Sequence, residues 1–299
     1  MGPPIKRADL TTLQRNAERV INTPQRINRE TMTTEMDIPG FSYADFNRCA
    51  YINLWSLLKS MEALSRIAFK LNPESYSKDK NIGYVVAAQV IDIHPKLYED
   101  VALNTPLLLS IKPATVGKRS YSYYADLEGK KNGLRYLRCH RTLGFVDIKN
   151  KRSALAPEDF KQIYKPLDDP EAKPVFIDQK KAPDNAVKYL MKVQHSDTDN
   201  QYHVNHSSYF RFCLDTAAAA CNLDQLPNFH GDFCMYKISR AEILYKRECL
   251  PGDEIEVTLW EGNESPHNTL HFIISLEGKL VAVVNVNFFP EQPLISAKI

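Results

Sequence analysis

The feature that most constrains the fold is an order of elements that occurs twice along the chain. In the C-terminal block, a helical apolar pattern from about Asn205 to Cys221 precedes strand patterns that end near Phe289. In the N-terminal block, a helical pattern over Asn47 to Phe69 precedes strand patterns that end near Val146. A helix followed by several strands, present twice in 299 residues, predicts two similar α+β domains of ordinary size.

Composition and turn residues divide the chain into four segments. Residues 1–33 are predicted to be an N-terminal extension, and residues 34–153 the first domain. Residues 154–187 are rich in Pro, Asp and Lys and are predicted to be a linker, with a short helix near Pro157 to Tyr164. Residues 188–299 are predicted to form the second domain.

The charge balance and the cysteines limit the class of protein. A net charge of +2 gives no strong positive potential that would attract nucleic acid. The sequence contains no run of 18 apolar residues, so no stable membrane insertion is expected. The six cysteines form no CxxC pair, which favours reduced thiols in an intracellular compartment. The last residues, Ala297-Lys298-Ile299, resemble a weak variant of a peroxisomal address, so both cytoplasm and peroxisome are compatible with the sequence.

A polar segment, SDTDNQYHVNHSSY (Ser196 to Tyr209), leads into the second helical pattern. Asp199 precedes the helix N-terminus, where unpaired backbone N–H groups and the helix dipole favour negative charge. His203 is placed to orient the loop or to donate a proton, and Asn205 to cap the helix. Thioester cleavage needs a nucleophile or base together with a donor for the oxyanion, and this segment has both.

The same segment resembles a family signature. Thr198-Asp199, His203-Val204-Asn205 and Tyr209 match the TD-xxx-HVN-xxx-Y pattern of hotdog-fold acyl-CoA thioesterases of the 4-hydroxybenzoyl-CoA thioesterase type. They are also similar to the DxNxHVNN corner of plant acyl-ACP thioesterases, which carry two hotdog domains in one chain. The resemblance implies two tandem hotdog domains, each a long central helix wrapped by an antiparallel sheet. It also implies catalytic roles for Asp199, His203 and Asn205.

The sequence departs from the plant pattern at two positions, which leaves the acyl carrier open. Gln201 stands where the plant enzymes have an asparagine, and His206 replaces the second asparagine of HVNN. We expect acyl-CoA as the substrate before acyl-ACP. The residues expected to contact the substrate come from both blocks: Gln201, Tyr202, His206, Tyr209, Tyr51, Trp55 and, as cations for CoA phosphates, Lys237 and Arg240.

The first block is predicted to lack the catalytic acid. Aligning DFNRCAY (Asp45 to Tyr51) with HVNHSSY (His203 to Tyr209) puts Phe41 in the place of Asp199 and Asp45 in the place of His203. Only the second domain is therefore expected to be catalytic, while the first completes the acyl-binding tunnel.

Several alternatives remain open from the sequence. Asp199 is suited either to attack the thioester directly or to deprotonate water. A non-hydrolytic acyl-thioester or lipid-binding protein and a hotdog dehydratase are rival interpretations, because fold does not fix function. An active monomer and a homo-oligomer of double-hotdog chains are both compatible with the sequence. No metal or cofactor is expected, because the histidine spacing fits no zinc site and no GxGxxG, P-loop or GxSxG pattern occurs.

Overall fold

The structure is a computed structural model that describes residues 25–38, 40–71, 81–172, 175–199, 202–263 and 268–290. Three features predicted from the sequence lie outside these residues: most of the N-terminal extension, the side chain of Gln201 and the C-terminal Ala297-Lys298-Ile299. Within the described residues, no helix is both long enough and apolar enough to cross a membrane.

The elements follow one another in the predicted order, helix before strands, in each half of the chain. The first half contains β1 (Gln25–Asn28), β2 (Thr33–Ile38), α1 (Leu54–Leu71), β3 (Ile82–Ile93), α2 (Leu97–Asp100), β4 (Leu107–Val116), β5 (Ser120–Gly129), β6 (Arg135–Asp147) and β7 (Arg152–Ser153). The second half contains β8 (Val187–Lys192), α4 (His206–Asn222), β9 (Ile238–Tyr245), β10 (Glu254–Glu261), β11 (Thr269–Leu276) and β12 (Lys279–Phe288). Between them lies α3 (Glu158–Tyr164), the short linker helix that the sequence predicts.

One antiparallel sheet contains all of these described strands. Its order is β1-β2-β4-β5-β6-β3-β9-β12-β11-β10-β8, and β7 extends it by pairing with β6. The two halves have the same internal order, because β3-β6-β5-β4-β2 on one side corresponds to β9-β12-β11-β10-β8 on the other. The halves join where β3 pairs with β9, with Ala88 opposite Leu244 and Asp92 opposite Arg240. The predicted α+β class, with long helices packed against an antiparallel sheet, is thereby confirmed.

The two long helices cover one face of the sheet and contact each other. Helix α1 buries Leu54, Leu57, Leu58 and Met61, each at most 3% exposed. Helix α4 buries Tyr209, Phe210 and Cys213, and its alanines Ala217 and Ala220 are fully buried, which suits close packing. The first helix begins at Leu54 and not at Asn47 as predicted, because Asn47 Oδ1 accepts from the N–H groups of Cys49 and Tyr51 and forms a turn instead.

The turns before α1 and α4 are built by the same backbone hydrogen bonds. In the second half, the Asp199 N–H donates to the His203 carbonyl at 2.8 Å. In the first half, the Asn47 N–H donates to the Tyr51 carbonyl, also at 2.8 Å. Asn47 therefore occupies the position of Asp199, and Tyr51 occupies the position of His203.

A second set of contacts fixes the same correspondence. Asp45 and Asp197 each end a 3-10 turn, and each carboxylate accepts from the N–H of the residue three positions earlier, at 2.9 and 2.8 Å. Their carbonyls accept from the N–H groups of Asn53 and Asn205, at 2.7 and 2.8 Å. The two asparagines are therefore equivalent.

This correspondence corrects the predicted alignment. The short identity of Asn and Tyr paired Asn47 with Asn205, whereas the hydrogen bonds pair Asn53 with Asn205. Phe41 does not stand in the place of Asp199, and Asp45 does not stand in the place of His203. Asn47 carries an amide, so the first half still has no carboxylate at the position of Asp199.

Candidate active site

The loop before α4 is held in place by Asp197. Asp197 is only 4% exposed. Its carboxylate accepts from the Gln194 N–H at 2.8 Å and forms an ion pair with Arg211 of α4. Its carbonyl accepts from the Asn205 N–H at 2.8 Å and from the Ser208 hydroxyl at 3.0 Å. Asp197 therefore fixes the loop onto the first turns of the helix, a role that the sequence did not assign to it.

Asp199 lies two residues further on, half-buried, in a hairpin-like turn. Thr198 pairs with Val204 as an antiparallel bridge, and the Asp199 N–H binds the His203 carbonyl across the turn. Tyr202 has a φ of 67°, a left-handed conformation that closes such a turn, and its hydroxyl lies 3.3 Å from His195 Nδ1. The predicted catalytic pair is therefore brought together by its own backbone.

Helix α4 begins with a satisfied cap. Asn205 Oδ1 accepts from the Ser207 N–H at 2.9 Å and from the Ser207 hydroxyl at 2.6 Å, as its predicted capping role requires. Its amide Nδ2 donates to Glu62 of α1 at 2.6 Å, and His206 Nδ1 lies 3.0 Å from the same carboxylate. The first half thus contributes a buried carboxylate to the base of this site.

Glu62 escaped the sequence prediction, although a signal was present. It lies four residues after Leu58, on the apolar face of the predicted helix, where a charge is out of pattern. At 4% exposure it is as buried as the leucines around it. A buried carboxylate needs partners, and Asn205 and His206 supply them.

Glu248 is a second residue that the prediction missed. Its Oε2 lies 3.4 Å from His203 Nε2, and its Oε1 lies 3.7 Å from Lys151 of the first half. Glu248 is exposed and follows β9 just before the Leu250-Pro251-Gly252-Asp253 turn. A charged residue between a strand and a turn is common, so the sequence alone gave no reason to single it out.

The wall behind the loop is made by Tyr209 and Cys249. The Val204 N–H donates to the Cys249 carbonyl at 2.9 Å, and the Cys249 N–H donates to the Tyr209 hydroxyl at 3.1 Å. Tyr209 is 3% exposed, and burial raises its pKa above the usual range. It therefore supports the loop as a neutral phenol.

The cysteines do not supply a thiolate at this site. Burial raises the pKa of the Cys249 thiol to about 11, and it raises the pKa of the other five thiols as well. A thiol acts as a nucleophile only when deprotonated, so these groups are inert at neutral pH. The candidate reactive groups of this site are therefore the oxygen and nitrogen atoms around Asp199.

The remaining predicted substrate contacts lie away from this site. Lys237 lies just before the start of β9, and its ammonium is 5.1 Å from the centre of the Tyr51 ring. The Asp199 loop lies at the opposite end of β9, where Val204 contacts Cys249. Eight residues of strand separate the two ends by about 25 Å. Trp55 stands near Tyr51, in the first turn of α1.

Arg240, a further contact predicted at the pocket mouth, is already ion-paired. Its guanidinium contacts the carboxylates of Asp92 and Glu242. The phosphate-binding roles of Lys237 and Arg240 stay predictions, because β-strand periodicity cannot tell which end of a strand faces a site.

Loss of the Asp197 carboxylate is expected to destabilise the protein. Asp197→Asn leaves Arg211 without its buried partner, and such losses cost about 3 kcal/mol of unfolding free energy. Asp215→Asn, which removes the exposed partner of the same arginine, is the control and should cost less than about 1 kcal/mol. Urea unfolding of both variants measures the difference, and equal losses would contradict the role given to Asp197.

The comparisons agree with this geometry. The family model of the acyl-ACP thioesterase C-terminal domain matches residues 180–290, which include the whole Asp199 loop, α4 and β9 to β12. Residues 180–290 are thus similar to the C-terminal domain of acyl-ACP thioesterases. The predicted resemblance to hotdog-fold thioesterases, and with it the class of a thioesterase-like hydrolase, is confirmed. No curated protein matches the chain in sequence.

Solved structures extend the likeness in fold to most of the chain. The 12:0-ACP thioesterase from Umbellularia californica has a TM-score of 0.68 at 13% identity, covering 87% of this chain and 94% of its own. A putative oleoyl thioesterase from Lactobacillus plantarum has a TM-score of 0.69 at 14% identity, covering 87% and 97%. An acyl-ACP thioesterase from Bacteroides thetaiotaomicron has a TM-score of 0.67 at 15% identity, covering 88% and 100%. At these identities the likeness establishes the fold alone.

Proposed function

We propose that the protein hydrolyses acyl thioesters at the loop before α4. The observation that carries this proposal is the arrangement of Asp199, half-buried at the N-terminal end of α4, with His203 hydrogen-bonded to it through the backbone and Glu248 beside the imidazole. The match of residues 180–290 to the family model of the acyl-ACP thioesterase C-terminal domain supports it.

The reaction needs one proton to move from water to the leaving thiolate. Asp199 takes a proton from a water molecule, whose oxygen attacks the thioester carbon and forms a tetrahedral oxyanion. The positive end of α4 favours that charge. The C–S bond then breaks and the thiolate receives a proton from His203. The proton held by Asp199 replaces the one that His203 gave, so free acid and thiol are released and both side chains return to their starting states. Glu248, whose Oε2 lies 3.4 Å from His203 Nε2, is placed to hold the imidazole ring.

Direct attack by the Asp199 carboxylate is the alternative route to the same products. It forms an acyl anhydride, which water then hydrolyses. A single turnover in ¹⁸O-water distinguishes the two routes, because hydrolysis of the anhydride at its aspartyl carbon leaves the heavy oxygen in Asp199. Label only in the released acid supports water attack.

We further propose that the two halves are tandem hotdog domains, with boundaries near 34–153 and 188–299 and a linker between them. The equal strand order of the halves supports this division, and so does the equivalence of the turns at Asn47 and Asp199. The first half then has the turn without the acid and contributes Glu62 from its helix.

For the carrier, we propose acyl carrier protein before CoA. The family match supports this choice, and the cations expected to hold CoA phosphates, Lys237 and Arg240, lie at the wrong end of β9 or are already paired. This reverses the preference drawn from the sequence.

The test is a panel of acyl-ACP and acyl-CoA thioesters with release of free thiol followed by a thiol reagent. Turnover of any member supports hydrolysis, and a higher kcat/KM for acyl-ACP at equal chain length supports the proposed carrier. Binding of the panel without thiol release would support the lipid-binding rival and overturn the proposal.

Glu248 gives a separate prediction. Glu248→Gln removes the negative charge beside His203 and is expected to lower kcat about 10- to 100-fold, since a misplaced acid or base forfeits much of its catalytic contribution. Glu254→Gln, an exposed residue at the start of β10, is the control and should keep full activity. A kcat for Glu248→Gln equal to that of the control would remove Glu248 from the mechanism.

A further inference from the structure

A row of polar side chains crosses the helix-facing side of the sheet and extends into the first half. It consists of Tyr245 of β9, Gln89 of β3, Arg141 of β6 and Tyr123 of β5, and is called the polar row below. Gln89 Nε2 donates to the Tyr245 hydroxyl at 2.7 Å, and Arg141 Nη1 donates to the Tyr123 hydroxyl at 3.0 Å. Arg141 is the cross-strand neighbour of both Gln89 and Tyr123.

The fold does not require this polar row. The second half repeats the strand order of the first, and its registers identify the residues that occupy the same positions. On the strands, Ala241 corresponds to Gln89, Val286 to Arg141 and Leu270 to Tyr123. On the helices, Leu214 corresponds to Glu62. Ala241, Val286 and Leu270 are fully buried, so the same frame packs well with apolar side chains only.

Arg141 stands out within the polar row. It is 2% exposed, and only its Nη1 is hydrogen-bonded, to Tyr123. Among the residues that the structure describes, its Nε and Nη2 reach no hydrogen-bond acceptor. The Cys139 thiol beside it is only a weak acceptor. Buried donors without acceptors are rare in folded proteins and costly, so this one calls for a ligand.

Glu62 connects the polar row to the active-site loop. Its carboxylate binds Asn205 and His206, while Tyr245 of the polar row donates to the His206 carbonyl at 3.0 Å. Burial alone would lower the pKa of Arg141, but its neighbours, Glu62 among them, raise it above the usual range. Glu62 thus offsets part of the guanidinium charge, whereas no neutral acceptor among the described residues reaches Arg141 Nε or Nη2.

We propose that the protein prefers acyl thioesters whose chain carries a neutral oxygen, as a hydroxyl, keto or ether group, which accepts from Arg141 Nε and Nη2. This inference rests on the proposed thioesterase function. Arg141 is two strands away from Tyr245, about 10 Å across the sheet. The accepting oxygen is therefore expected several carbon atoms away from the thioester group along the acyl chain. A chain ending in a carboxylate fits poorly, because a second negative charge would meet Glu62.

The test is a competition between two substrates in one tube. A saturated medium-chain acyl-ACP is mixed with an equal amount of its ω-hydroxy counterpart of equal length, and both free acids are quantified over time. The ratio of the two rates equals the ratio of kcat/KM values and does not depend on how much of the enzyme is folded. We expect the hydroxylated chain to be preferred at least about tenfold, because an apolar chain leaves the buried donors without acceptors.

Arg141→Met is expected to reverse this preference, since it removes the donors and offers an apolar surface. Arg135→Met, at the exposed start of the same strand, is the matched control and should keep the ratio of the native protein. A native ratio near one, or a preference for the plain chain, overturns the inference while leaving thioester hydrolysis in place. An unchanged ratio in Arg141→Met also overturns it. No turnover of either substrate, nor of the acyl-ACP panel, would instead contradict the proposed function.

Discussion

Replacing Asp199 with asparagine is expected to lower kcat about 10²- to 10⁴-fold and to leave KM nearly unchanged. The amide keeps the shape of the side chain but cannot take a proton from water, and a positioned acid or base contributes a factor of this size. The protein itself indicates that the substitution is tolerated. Asn47 holds the equivalent turn of the first half with the same backbone hydrogen bond, at the same 2.8 Å.

The measurement is steady-state thiol release, with circular dichroism and urea unfolding to confirm that the variant is folded. Asp224→Asn is the matched control, because Asp224 is exposed beyond the end of α4 and its φ of 52° suits asparagine. Equal turnover by Asp199→Asn and by the native protein would exclude Asp199 from the chemistry.

The largest effect on stability is expected from Glu62. Glu62→Leu removes the buried carboxylate that accepts from Asn205 Nδ2 and lies 3.0 Å from His206 Nδ1, and leaving buried polar partners unsatisfied costs about 1–3 kcal/mol of unfolding free energy for each group. Leucine itself fits the position sterically, because Leu214 occupies the corresponding place in α4. The loss is therefore electrostatic and not a consequence of poor packing.

A double-mutant cycle separates these causes. Combining Glu62→Leu with Arg141→Met removes both buried charges and should cost less than the sum of the two single losses, because Glu62 is one of the neighbours that raise the pKa of Arg141. Glu256→Gln, which breaks the exposed pair with Lys188, is the control and should change stability by less than about 1 kcal/mol. Additive losses in the double variant would show that Glu62 and Arg141 do not interact.

The parts of the fold that could be predicted from sequence are those set by local pattern. The helix at α4, the β10 to β12 strands and the short linker helix follow from apolar periodicity and turn residues. The Asp199 loop was found for the same reason, since its residues are close together in the sequence.

What escaped prediction depends on contacts between distant segments. Glu62 reaches Asn205 across 143 positions, and Glu248 meets His203 only after β9 returns to the loop. The wrong alignment of the first block arose from two chance identities, while the true partner of Asn205 was set by a hydrogen bond from Asn53 to Asp45. Apart from the charge of Glu62 on an apolar helix face, none of these contacts leaves a local signature.

The equivalence of Asn47 and Asp199 also has a consequence for stoichiometry. An assembly of two identical hotdog chains would carry two acids, one at each end of the shared interface, whereas this chain joins two halves through β3 and β9 and keeps an acid in only one. We therefore expect one acyl group to be turned over per chain at a time. Titration with a non-hydrolysable thioester analogue should saturate at one equivalent.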